Sequence, residues 1–291
     1  MVLEQIYPME LLKEKPKYAF LLGMAYTVFA TLFALMLFPQ DPALVIVGIV
    51  SILLLPSLYQ LSTYHESEMR KHNAFSFWHV ISDNKQFIKV YLYLFFGSFI
   101  VFALFSLFLP TLATNYVFKE QVAVMTGGAV QTAGGGYFSI PLFKDLFTHN
   151  LFVMGICFLL SLVAGNGAIF MIIWNASVWG TVFGVLGKTV AVYLQTHPAI
   201  IFSLILISVF PHVLLEISSY IIAVVSGTII SDAMAREKIV SKTFGRVLIH
   251  NVLLLLCAVA VLAIAMIVET YVLNNFTTYK TIIQLSTKAM I

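Results

Sequence analysis

His212 and Glu216 lie in the segment "PHVLLEISSY" (211–220), inside a long apolar run where a membrane span or a protein core would normally carry neither. One helical turn separates them, so on a helix they share a face. A carboxyl and an imidazole at that spacing can share or relay a proton, bind a ligand, or supply two ligands to a metal. Zinc catalysis wants three protein ligands and a water, and His149 is the candidate for a third. Stepping at about 100° per residue brings Ser208, Ser219, Ala223 and Ser226 to the same face, opposite Leu, Ile and Val. Insertion scales charge about 2.5–3.5 kcal/mol for a charged side chain at mid-membrane, so this polar stripe should face protein or water. The residues leave two readings open. The His–Glu pair either locks helix packing, or it serves as a proton, ion, ligand or metal site. Asn150 and Asn175 are the amides available to complete a buried polar cluster with His212 and Glu216.

Two further features bear on how such a cluster is positioned. Pro211 directly precedes His212 and predicts a kink or break near Phe210, because proline lacks an amide hydrogen and clashes with the preceding turn. Ala176, Gly180 and Gly184 are spaced by four, a small-residue surface that lets two helices approach closely. No Ser-x-x-Lys, Gly-x-Ser-x-Gly or paired intramembrane aspartates occur. An enzyme is therefore not the leading reading, and neither a metal nor a cofactor is expected. Cys157 and Cys257 both sit in apolar runs and read as packed thiols.

The elements that carry these residues follow from composition. Of 291 residues, 60% are hydrophobic and 10% charged, and the mean hydropathy is +0.97. Soluble domains carry about 25% charged residues, whereas a bilayer core takes roughly 20 apolar residues per helical span. The chain is expected to be an all-α, polytopic transmembrane bundle of about seven spans, with six to eight compatible. The spans are read at Tyr18–Phe38, Ala43–Leu61, Val90–Leu109, Asn150–Ala164, Ala168–Leu186, Ala199–Ile230 and Val247–Val268. "GNG" at 165–167 marks a tight turn between the fourth and fifth. Three regions result. Residues 1–146 hold three spans, an interfacial helix at 62–89 and a Gly-rich outer loop at 111–146. Residues 147–232 form a core, and 233–291 a last span and tail.

His65, His72 and His79 recur every seven residues within 62–89, an interfacial polar face or a metal-binding row. The net charge of +3 forms no nucleic-acid patch. With the N-terminus inside, eleven of the sixteen Lys and Arg fall on inner segments and five on outer ones. The positive-inside rule then sets a cytoplasmic N-terminus and an outer C-terminus in the plasma membrane.

The stretches "HNLFVMGICFLLSLVAG", "IIWNASVWGTVFG" and "FPHVLLEISSYIIAVVSG" resemble the stage II sporulation protein M family. The correspondence falls on Asn150, on Asn175 with Gly180 and Gly184, and on Pro211, His212 and Glu216, within residues 147–232. Ala176 and Val213 stand where the family often has glycine. The resemblance implies a non-enzymatic membrane subunit that organises or anchors protein partners, such as those that degrade peptidoglycan during engulfment. The lipid bilayer and protein partners, or a second copy of the chain, are the expected contacts, and nucleic acid is not. A small transporter or channel component, and a metal-dependent intramembrane hydrolase, are the alternatives.

Overall fold

The computed structural model describes residues 12, 15–69, 77–127, 138–237, 241–277, 280–282 and 284–285. These are helical almost throughout, and no strand occurs among them. In chain order the helices are α1 (Tyr18–Leu37), α2 (Pro42–Met69), α3 (Phe77–Phe108), α4 (Thr111–Val117), α5 (Lys119–Gly127), α6 (Ile140–Ala164), α7 (Ile169–Tyr193), α8 (Pro198–Arg236) and α9 (Lys242–Asn275). Six helical stretches are long and apolar enough to cross a membrane. The longest, Ile140–Tyr193, is divided by the 3-10 turn Gly165–Ala168 into α6 and α7, each of 25 residues. At 1.5 Å per residue each half is about 37 Å long, enough for a crossing. Counted this way, the bundle has the expected seven spans.

The division at Gly165 has a local cause. Its φ of +53° lies where only glycine is unstrained. Starts are equally legible. Ser139 caps α6, His197 caps α8 ahead of Pro198, and Ser241 caps α9, each accepting a backbone N–H of the first turn. The helices outrun the apolar runs. Residues 62–69 continue α2 and 77–89 open α3, so these parts of the segment assigned to the interface belong to the long helices. The side chains of the histidine row 65, 72 and 79 lie outside the described residues, as does 128–137 of the Gly-rich segment.

Large apolar side chains cover the outside: Val163 is 87% exposed, Ile207 72% and Met36 71%. Small and polar residues turn inward. On α1 the buried face is Ala19, Leu22, Gly23, Thr27, Ala30, Thr31 and Ala34, and it packs on α3. Water cannot drive helices together inside lipid, so close backbone contact and interhelical hydrogen bonds must do so. The α3–α7 contact shows the first device. A Cβ at Gly180 would stand 2.7 Å from the Phe99 carbonyl oxygen, and one at Gly184 2.6 Å from that of Ala103. Ala176 is fully buried on the same helix.

Candidate functional site

Helix α8 is the hub of the second half of the chain, packing against α6, α7, α9 and α3. It runs unbroken for 39 residues through Pro211, about 58 Å at the helical rise. Proline cannot satisfy the carbonyl four residues back, that of Ile207, and Pro211 itself lies on the exposed side. Its inward face carries Ser208, His212, Glu216, Ser219 and Tyr220, all buried.

A close approach sets the register between α8 and α6. A Cβ at Gly227 would fall 2.8 Å from the Phe158 carbonyl oxygen and against Ser161. With the two backbones that near, Tyr220, two turns earlier on α8, reaches Asn150, about two turns before Phe158 in the middle of α6. Its Oη lies 2.7 Å from Asn150 Oδ1 and 2.8 Å from Glu216 Oε1. The Asn150 amide in turn donates to Met266 Sδ of α9 at 2.9 Å. Glu269, one turn further along α9, is within electrostatic reach of both Glu216 and Tyr220. The site is therefore a network of Glu216, Tyr220 and Asn150, bounded by Met266 and Glu269, where α6, α8 and α9 meet.

The expected residues are partly gathered here. Asn150 and Glu216 come together through Tyr220. His212 is buried on the same face but makes no hydrogen bond to Glu216, and its Nδ1 has no partner. Oε2 of Glu269 is likewise buried without a partner. Ser208 and Ser219 bond back to carbonyls of α8, those of Leu204 at 2.9 Å and Glu216 at 2.7 Å. Asn175 is half-buried on α7 and donates to Met171 O at 2.8 Å on its own helix. His149 precedes Asn150 in α6 but is exposed. Ala176, Gly180 and Gly184 serve the α3 contact and stand apart from the network. Among the described residues no group of three or more His, Cys, Asp or Glu is placed to hold a metal ion.

Tyr220, Met266 and Glu269 complete the network without having been singled out in the sequence. Tyr220 follows Glu216 by the same four-residue step that separates His212 from Glu216, so its signal was available. Glu269 stands one residue past the apolar run ending at Val268, and Met266 looks like any apolar residue of a span.

Three smaller polar contacts fix other parts of the bundle. Ser62 hydrogen-bonds Asp232, joining α2 to α8. Tyr91 of α3 donates to Asn166 of the 3-10 turn at 3.4 Å. Lys188 of α7 donates to the carbonyl of Leu109, just past the end of α3, and to Thr114 Oγ1 of α4, both at 2.9 Å. A cation at a helix C-terminus meets the negative end of its dipole.

What this arrangement can do chemically is limited and specific. It joins three spans through polar groups shielded from lipid, and it places a buried carboxyl within hydrogen-bond reach of a phenol. No curated protein and no solved structure matches the chain. The family model "Stage II sporulation protein M" matches residues 42–272, a wider stretch than the 147–232 carrying the recognisable residues, and so takes in the α2 and α3 spans and the α9 span with Met266 and Glu269. That match covers well over half of a seven-span chain whose Asn150, Gly180 and Gly184 lie at interhelical contacts, and the chain belongs to the stage II sporulation protein M family.

Proposed function

We propose that the chain is a non-enzymatic, multi-pass subunit of the plasma membrane that organises or anchors partner proteins. Its N-terminus is cytoplasmic and its C-terminus lies outside. The observation that carries this reading is the use made of the interior polar residues. Tyr220 and Asn150 tie α8 to α6, Ser226 Oγ donates to the Asn251 carbonyl at 2.7 Å and ties α8 to α9, and Lys188 ties α7 to the end of α3. These bonds hold spans in fixed register, which suits a rigid platform for other proteins. Cross-linking in native membranes tests it. The tagged chain should yield discrete adducts with a second protein or a second copy of itself. A chain that stays uncross-linked, with ion or solute flux in reconstituted vesicles, would overturn the scaffold.

That second outcome belongs to another reading, a small transporter or channel component. The unpartnered His212 Nδ1 and Glu269 Oε2 in the interior favour it. Orientation has its own test, with single cysteines at Gln40 and Lys242 in a cysteine-free background. An impermeant maleimide on intact cells should label the first and spare the second. Labelling of both, or of Lys242→Cys alone, rules out the proposed topology.

A further inference from the structure

The protons around Tyr220 can be counted. Its Oη touches two oxygens, Asn150 Oδ1 at 2.7 Å and Glu216 Oε1 at 2.8 Å. A phenol has one proton to give, and an amide oxygen only accepts. Two oxygen–oxygen contacts of this length need two protons. Asn150 cannot supply the second by reversing its amide. Its Nδ2 faces Met266 Sδ at 2.9 Å, and reversal would set an oxygen against a thioether, which carries no hydrogen. If the phenol gave its proton to Glu216 instead, Oη and Oδ1 would face each other with no hydrogen between them. The remaining source is the Glu216 carboxyl.

We propose that Glu216, Tyr220 and Asn150 form a proton-binding site whose ligand is a single proton on Glu216. In its occupied state the Glu216 carboxyl donates to Tyr220 Oη, Oη donates to Asn150 Oδ1, and Asn150 Nδ2 donates to Met266 Sδ. Every hydrogen in that chain has a receiver, and the chain runs from α8 through α6 to α9.

The surroundings agree with a proton rather than a cation-paired carboxylate. The titratable groups in electrostatic reach of Glu216 are Tyr220 on its own helix and Glu269 of α9. Tyr220 also feels Cys157 of α6. None of these is cationic. Two ionised carboxylates in a low-dielectric interior repel strongly, so Glu269 resists a charge on Glu216. His212, one turn earlier on α8, makes no bond to Glu216. Release of the proton leaves the phenol with one hydrogen for two acceptors, and the ionised carboxylate is the stronger of them, so the contact between Oη and Oδ1 is the one left without a hydrogen. That contact joins α8 to α6, so the step that charges Glu216 loosens α8 from α6, and the site acts as a latch.

Infrared spectroscopy of the full chain in phospholipid vesicles at neutral pH tests this. Wild type should show the carbonyl stretch of a protonated carboxylic acid. Glu216→Gln should abolish it, Glu269→Gln should keep it, and Tyr220→Phe should shift it by removing the acceptor. Absence of the band in wild type overturns the proposal, as does its survival in Glu216→Gln. Should Glu216→Gln lose its helical circular dichroism, Tyr220→Phe decides, and an unmoved band there overturns the donation to Oη.

Discussion

Replacing Gly180 by alanine adds one carbon at one of the two close contacts between α3 and α7. That carbon would meet Phe99 O at 2.7 Å, Phe102 Cβ at 2.8 Å and Ala103 N at 3.0 Å, where ordinary contact begins at 3.4 Å. Two of the three atoms are backbone, so relief comes from moving a helix rather than turning a side chain. The shortfall from 3.4 Å is 0.7 Å at the Phe99 oxygen, and at Gly184 it is 0.8 Å at the Ala103 oxygen. Overpacking of this kind costs about 1–3 kcal/mol. Alanine returns about 0.5–1 kcal/mol in helix propensity, leaving Gly180→Ala less stable by up to about 2.5 kcal/mol. Gly48 and Gly155 provide the control, since nothing lies within 4 Å of a Cβ at either. Alanine there should be neutral or stabilising by up to about 1 kcal/mol. Thermal unfolding of the full chain in one detergent, followed by loss of the monodisperse peak, should place Gly180→Ala below wild type and the controls at or above it. Gly180→Ala with Gly184→Ala should cost less than the two singles together, because one separation of α7 from α3 relieves both. A Gly180→Ala protein as stable as Gly155→Ala would refute the close-packed contact.

Tyr220→Phe and Asn150→Ala should each cost about 1–3 kcal/mol by stranding a buried polar partner. The double variant should cost little more than either alone, and additivity in a double-mutant cycle would refute the bond across α8 and α6. The same cycle on His212→Ala and Glu216→Ala should show weaker coupling than Tyr220 with Asn150, because no hydrogen bond joins them; equal or stronger coupling would refute that. Lys188→Met removes both donations to the end of α3 and to α4 and should cost about 1–2 kcal/mol. Hydrogen exchange should rise at 109–117, and unchanged protection there would rule out the capping role.

Much of this architecture is written in the chain as one-dimensional chemistry. A bilayer accepts helices about 20 apolar residues long, so seven apolar runs announce seven crossings, and the Gly165–Gly167 turn splits the longest helical stretch. Gly180 and Gly184 announce a close contact because only small residues at a spacing of four leave room for a second backbone. Hydropathy reports where lipid is, however, and not where a helix stops. That is why α2 and α3 extend through 62–69 and 77–89, polar stretches that a helix tolerates and a membrane does not.

The partner of Glu216 was a tertiary decision. Sequence spacing offers His212 and Tyr220 equally, each one turn away. Which of them meets the carboxyl depends on what the neighbouring helices bring to that depth. The Gly227 approach sets α6 against α8 so that Asn150 lies beside Tyr220, and α9 adds Met266 and Glu269 from a position 50 residues further along the chain. No local pattern encodes that depth. It is set by the register in which three helices pack, and register is decided by whichever small residues allow backbones to touch.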